Sequence, residues 1–514
     1  MKDFFKKLGR AVTGRKGIGS SMTVAIIIAV VMLNILTYTL TNAFGLYIHT
    51  EEKDDLSLSG NTDSLFETAL LLDKKVTITF CYPESTLESH STGQFVLATA
   101  RAFEERYPEL IELNFINLLT KMDEDGNIVD LDKYVEDGRY NLKQSSVIFE
   151  CGEGEEYSYR VLTDNYTSAG FVDFYVLDSS ASIVSYNGEE VMAAMISWVL
   201  NDRHQTVYFT QNHGESADIS FSNLLTCSGY YVEVINLRKQ EIPEDAGMII
   251  ISNPTSDFDR SVENATTRGE IDKLEDYLER GGKLYVALDP YVKELKNLES
   301  LLRDYGIEMS SRYSDTGAIE RDIVRETSDA ITTDGYTFVA THADNGISSK
   351  ILDKVQVHGS NRVLLSNVCA LTLTSSPESG LTVYPLLKSG PSSSTFAGGE
   401  VTDTSGEYDV AACSVKTLDD GKSATVCVIP TAYITATEAF ISEGYSNKDF
   451  IYATLEVVFG ANPAPYGCRQ VLYNTQTLEN FTMGRARIYT AIILAIPTAL
   501  AIVGTVIIVR RKNR

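Results

Sequence analysis

The sequence predicts a membrane-anchored α/β protein: a doubly wound parallel sheet with a smaller α/β domain beside it, and one transmembrane helix at each end. Three observations carry this. Strand-like and helix-like segments alternate between residues 206 and 289, the pattern of parallel strands joined by crossover helices. Two uncharged apolar runs, 22–48 and 488–509, are each long enough to span a bilayer. Nearly all the acidic excess lies between them.

The first run reads MTVAIIIAVVM from Met22 and continues through Leu33, Ile35, Leu36 and Leu40 to Ile48. It exceeds a signal-peptide core, which favours an uncleaved anchor over a cleaved leader. The second, Ile488 to Val509, stops at Arg510, Arg511, Lys512 and Arg514, while Lys2, Lys6, Lys7, Arg10, Arg15 and Lys16 precede the first. Cytoplasmic flanks collect Lys and Arg, so a two-pass protein of the cell membrane is expected, with both termini cytoplasmic and the large domain extracytoplasmic. Arg485 and Arg487 oppose this orientation but are outnumbered. In the second run Ala491, Ala495 and Ala499 recur at four-residue spacing around Pro497, a small-residue face for helix packing. The alanine content of a lone anchor explains the same spacing equally well.

The net charge of −26 includes +5 before the first run and +4 after the second, leaving about −35 between them. Such a surface repels phosphate, which excludes nucleic acid as a partner. Cys81, Cys151, Cys227, Cys369, Cys413, Cys427 and Cys468 are odd in number, without a CxxC and partly within apolar stretches. They predict buried thiols rather than a zinc site or a disulfide framework, and no metal or cofactor is expected.

A polar strip, 51–63, follows the first run. KVTITF (75–80) reads as a strand, 95–107 as a helix stopped at Pro108, and IELNFINL (111–118) as a second strand. Acidic 122–138, with Gly126-Asn127, predicts an exposed loop or short hairpin; strands at 146–151 and 157–162 flank a turn at 152–155. GEEVMAAMISWVL (188–200) predicts a helix with Val191, Met195, Trp198 and Val199 on one face, and Glu189 and Glu190 in its first turn. The alternating block comes next: strand 206–210, helix 216–228, strands 231–236 and 248–252, helix 269–280, strand 283–289. Later strands are expected near 362–366, 381–386, 408–415 and 424–429, with a helix over 448–459; they either extend the same sheet or build a subdomain. The Ser-, Thr- and Gly-rich 388–406 is expected to be a loop.

In an open α/β sheet the ligand crevice lies at the carboxyl ends of the strands. There the sequence places Gln211-Asn212-His213-Gly214-Glu215, Ser252-Asn253-Pro254 and Asp289. Asn212, His213, Gly214, Glu215, Ser252, Asn253 and Asp289 are therefore the candidate ligand-binding residues, with His213, Glu215 and Asp289 as a polar cluster. The alternative is that Glu215 complements a helix terminus, Gly214 supplies a turn and His213 caps. No catalytic residue is assigned: SNPT lacks the glycines of a nucleophile elbow, and neither a Walker-type loop nor a strand-linked GxGxxG is present.

The order of segments resembles the GldG-type (gliding-motility-type) auxiliary proteins of ABC transport systems over most of the chain. The likeness runs through Thr50-Glu51-Glu52, Leu56 to Ser59, Thr62 and Leu72 to Ile78, then the helix from Glu189 and TVYFTQNHGE. It continues through Gly229-Tyr230, Val234 to Leu237, Ile242-Pro243, MIIISNP, Tyr277-Leu278, Gly281 to Leu284 and Leu288-Asp289-Pro290. It closes with LESLLRDYGI, Asn447 to Phe450 and the final apolar run with its basic tail. Gln211-Asn212 and the serine-rich loop depart from the pattern. The resemblance implies a flavodoxin-like or amidotransferase-like domain without a nucleophile. It implies a non-ATPase accessory or scaffold subunit whose partners are an ABC ATPase, a multispanning permease and the lipid bilayer, with a cell-envelope glycan as a candidate ligand.

The expected organisation is a cytoplasmic basic segment (1–21), the first transmembrane helix (22–48), a first extracytoplasmic α/β domain (49–185), the flavodoxin-like block (186–310) and a continuation or subdomain (311–465). A juxtamembrane segment (466–487), the second transmembrane helix (488–509) and a basic tail (510–514) follow. Two other functions compete: an envelope hydrolase or transferase using His213, Glu215 and Asp289, and a passive glycan-binding module.

Overall fold

The β-branched run VTITF forms the strand Val76–Phe80, the centre of the first sheet in the computed structural model. The structure describes residues 58–59 and 62–472, apart from 136–139, 164–169, 202–203, 262–267, 359–360 and residues 179, 181, 329, 405, 443 and 469. The two apolar runs, and Ala491, Ala495 and Ala499 with them, lie outside the described residues. Among the described residues no helix is long and apolar enough to cross a membrane.

Val76–Phe80 pairs in parallel with Ile111–Asn117 and antiparallel with Val147–Cys151, which pairs antiparallel with Ser158–Leu162. The parallel pair needs a crossover, and helix Gly93–Arg106 supplies it, burying Val96, Leu97, Ala100 and Phe103. A short hairpin strand, Met122–Asp123, completes this five-stranded sheet. The region after it departs from the expected exposed loop: Leu131 and Tyr134 turn inward to a cluster with Cys81, Ile116, Ile148 and Val161. Two apolar anchors suffice to pull an acidic stretch onto a core. A helix the sequence left within the polar strip and its sequel, Asp63–Leu71, buries Phe66 and Ala69.

Helix Gly188–Leu200 has the predicted bounds, but its buried surface is not one face. Every residue from Gly188 to Val199 is buried, both glutamates included. A helix apolar nearly all round lies between layers, and this one packs on strands 147–151 and 158–162 as well as on helix Ile219–Cys227.

The second sheet is built on five parallel strands in the spatial order Tyr230–Ile235, Gln205–Thr210, Ala246–Ser252, Lys283–Ala287, Ser423–Ile429. In chain order this is 2-1-3-4-5, the flavodoxin-type order. Helices cover both faces. Leu284 and Val286 point to a cluster with Ile271, Leu274 and Leu278 of helix Glu270–Glu279 and with Leu298, Leu301 and Leu302 of helix Lys296–Asp304. The intervening Tyr285 points the other way, with ring centroids 5.4 Å from Phe221 and 6.4 Å from Phe459.

The fifth parallel strand returns only after a long insertion. Antiparallel strands Asp409–Thr417, Leu381–Lys388, Thr337–His342 and Val363–Ser366 continue the sheet beyond it. The later segment thus extends the same sheet. Strand 337–342 and helix Gly346–His358 were not foreseen. The expected loop at 388–406 contains strands Ser394–Ala397 and Glu400–Asp403, which join Ile323–Arg325 in a small separate sheet. All seven cysteines are buried.

Candidate functional site

Strands 205–210 and 246–252 are spatial neighbours whose connections leave in opposite directions, to 230–235 and to 283–287. This is the topological switch point, where open α/β sheets bind ligands. Six of the seven candidate residues stand there, at the end of strand 246–252 and on the two loops that follow these strands.

The loops are zipped to each other. Ser216 N–H donates to the Ser252 carbonyl at 3.0 Å, and Thr255 and Ser256 N–H groups donate to the His213 carbonyl at 2.8 and 2.9 Å. Ser252 Oγ donates to the Ser216 carbonyl at 2.8 Å, and Asn253 Nδ2 donates to the same oxygen at 3.3 Å. The turn demands positive φ at Asn212 (83°), Gly214 (72°) and Asn253 (50°), and Asn is the non-glycine residue that tolerates it best.

His213 is the centre of the zipper and is fully buried. Its ring lies 3.8 Å from that of Phe258, nearly parallel to it. Nδ1 is 2.9 Å from Glu215 Oε1, and Nε2 is 2.9 Å from Glu270 Oε2. A carboxylate only accepts, so both ring nitrogens donate and the side chain is an imidazolium. Burial disfavours that charge, but the bonds to Glu215 and Glu270 outweigh it and raise the imidazole to about 9. Burial likewise pushes both carboxyls up, yet His213 and backbone N–H groups hold them below the usual range. Glu215 also accepts His213 N–H at 2.6 Å, Glu270 accepts Asp259 N–H at 3.0 Å, and Arg238 Nε stands 3.6 Å from Glu270.

The cluster therefore differs from the expected one in its third member. Glu270, the first residue of helix 270–279, takes the place foreseen for Asp289. Asp289 instead accepts the N–H of Tyr291 at 2.9 Å, closing its own turn, and no ion pair or hydrogen bond among the described residues joins it to His213. A general base needs a free lone pair, and His213 has none to offer. Glu270 Oε1 and Asn253 Oδ1 are buried without a hydrogen-bond partner among the described residues. Among the described residues no group of three or more His, Cys, Asp or Glu side chains is arranged to hold a metal ion.

Gly214 carries the tightest constraint on the turn. A Cβ there would lie 2.0 Å from Thr255 Oγ1 on a backbone of positive φ. Gly214→Ala is expected to cost about 1–3 kcal/mol, read as a lowered urea midpoint. Gly214→Ala/Thr255→Ala should recover only the part due to the clash.

Two further arrangements carried no sequence signal. Glu190, 1% exposed, holds Lys448 Nζ at 2.7 Å and the Tyr452 hydroxyl at 2.5 Å, partners more than 250 residues away. An open cleft of about 590 Å³ is lined by Val339, Thr341, His342, Asn361 and Arg362 among others, and burial pushes the His342 imidazole down to about 4.

No family model and no curated protein matches the chain. Among solved structures it is similar to the mmIFT52 N-terminal domain, at 14% identity over 49% of this chain and 96% of that one, with a TM-score of 0.34. It is also similar to a ThuA-like protein from Bacteroides uniformis, at 15% identity over 51% and 94% with a TM-score of 0.29. PurLQS from Thermotoga maritima is similar at 11% identity over 49% and 98%, with a TM-score of 0.27. Likenesses this distant carry nothing about function, and the fold rests on the chain's own strand order.

Proposed function

We propose that the chain is a non-ATPase accessory or scaffold subunit of an ABC transport system, anchored in the cell membrane at both ends, whose extracytoplasmic domain binds a partner or an envelope ligand. The observation that carries this reading is the occupied switch point. Where a flavodoxin-type sheet offers its ligand crevice, His213 is bonded to both Glu215 and Glu270 and its ring stacks on Phe258, so these side chains engage one another. That favours a domain that presents a rigid surface over one that performs proton transfer. The two apolar runs with basic outer flanks and the segment order resembling the GldG-type family support the membrane location and the partners.

The full-length chain, tagged and purified in mild detergent at high stringency, is expected to retain an ABC ATPase and a multispanning permease in near-equal amounts, identified by mass spectrometry. Repeated recovery of the chain alone overturns the reading.

A further inference from the structure

Cys413 and Cys427 face each other directly across the antiparallel pair 409–417 and 423–429. Which class of pair they form follows from the hydrogen-bond phase. Leu418 N–H donates to the Lys422 carbonyl at 2.8 Å, so 418/422 is a hydrogen-bonded pair. The ladder then runs without a register shift from Thr417/Ser423 to Ala412/Val428. Hydrogen-bonded and non-hydrogen-bonded pairs alternate along it, which puts Cys413/Cys427 in the non-hydrogen-bonded class.

The other side of the strand agrees. Thr425 N–H donates to the Gly282 carbonyl, and the Ile429 carbonyl accepts from Leu288 N–H. The odd-numbered residues here thus turn their backbone groups toward strand 283–287 and away from 409–417. In a non-hydrogen-bonded pair the Cα atoms stand about 4.5 Å apart and the side chains approach most closely. That spacing lies within the ~4.4–6.8 Å that a disulfide spans.

We infer that Cys413 and Cys427 are an intrachain disulfide site, a cross-strand staple at the junction of the parallel and antiparallel halves of the sheet. Formation joins the two sulfurs. Each thiol loses its hydrogen, and the two electrons and two protons pass to a disulfide oxidant such as oxidised glutathione, which leaves as two thiols.

Both side chains are wholly buried in the folded sheet, and burial pushes the Cys413 thiol up to about 12. Thiolate, the reacting form, is thus withheld once the strands have closed. The link is made during folding, while the hairpin is still open to the oxidant, and afterwards it is shielded from reductants. Its occupancy in the cell rests on the extracytoplasmic location proposed above, since that side is oxidising; the geometry of the site does not.

Two arms separate these claims. The full-length chain is refolded with a reduced and oxidised glutathione mixture, then denatured in excess alkylating reagent, digested and analysed by mass spectrometry. A linked peptide pair carrying Cys413 and Cys427, lighter by two hydrogens and separated by phosphine, is the expected result; Cys413→Ser should abolish it while Cys81→Ser leaves it intact. Alkylation of both residues, or linkage of either to another cysteine, overturns the site. In the second arm, protein taken directly from membranes and denatured in alkylating reagent should show two fewer free thiols than after reduction, which needs no refolding. A linked pair in the first arm with all seven thiols free in the second upholds the site and removes the extracytoplasmic location.

Discussion

Lys448→Met is expected to lower the stability of the protein by about 3–5 kcal/mol. The reason is Glu190. It sits in the first turn of helix 188–200, 1% exposed, with Lys448 Nζ at 2.7 Å and the Tyr452 hydroxyl at 2.5 Å. Burial pulls the Lys448 ammonium down, but Glu190 and then Asp449 outweigh it, and the net shift is upward. Removing the cation leaves a carboxylate in a dry site with one hydroxyl donor.

The consequence reaches beyond one ion pair, because helix 188–200 packs on the first sheet while Lys448 and Tyr452 belong to helix Asn447–Phe459 over the second. The pair is a weld between the two sheets. Trp198, the only tryptophan and 3% exposed on the same helix, reports on the weld by fluorescence during urea unfolding. A chain of this size need not unfold in two states, so the readout is the midpoint of the Trp198 transition. Lys448→Met should lower it strongly, and Glu190→Gln/Lys448→Met should recover much of the loss, because the uncompensated charge is gone. Equal midpoints for Lys448→Met and the unaltered protein refute the weld.

The same pair shows where sequence reading stops. The central parallel strands were legible because each is a short apolar run buried on both faces, as in MIIIS and KLYVA, set between turn residues. Helix 188–200 was legible to the residue. Its role was not, since a partner more than 250 residues away leaves no local mark. The fifth parallel strand, 423–429, has the same apolar character, but its pairing with Lys283–Ala287 spans an insertion whose strands could equally have formed a subdomain.

Strands 394–397 and 400–403 were hidden by composition. They lie in a small peripheral sheet, where Thr395 and Thr402 bond to each other through their hydroxyls. At the switch point, His213 and Glu215 were found together because they are two residues apart. Glu270 was missed because its only local signal is an acid opening a helix, which normally means an exposed dipole partner. Asp289 was misplaced because ending a neighbouring strand fixes a side chain's edge but not its direction.

The pH dependence of stability should carry the signature of the His213 clasp. The sign follows from the folded-state imidazole lying at about 9, above the 6.5 of an unperturbed histidine. A raised value means the folded state binds the proton more tightly. The stabilisation is complete below about 6.5 and is lost as pH rises through about 9. At ~1.4 kcal/mol per unit, a rise of about 2.5 corresponds to a coupling of about 3.5 kcal/mol. Glu215 and Glu270, held low, set the opposite limit: their share is present above the ordinary carboxyl value and is lost as pH falls through their depressed ones. The charged groups facing the ring and its partners are Glu215, Glu270 and, through Glu270, Arg238, whose own contact to Asp259 is 3.5 Å. Glu270→Gln should therefore lower the urea midpoint at pH 7 by an amount worth about 2–3 kcal/mol and flatten the decline between pH 7 and 10. Arg238→Gln should leave that decline in place. Hydrogen exchange at Thr255 and Ser256, whose amides bond to the His213 carbonyl, locates the loss: it should quicken with alkaline pH beyond the intrinsic rate in the unaltered protein and be fast throughout in Glu270→Gln. A decline of the same depth in both proteins would show that the clasp is not what titrates.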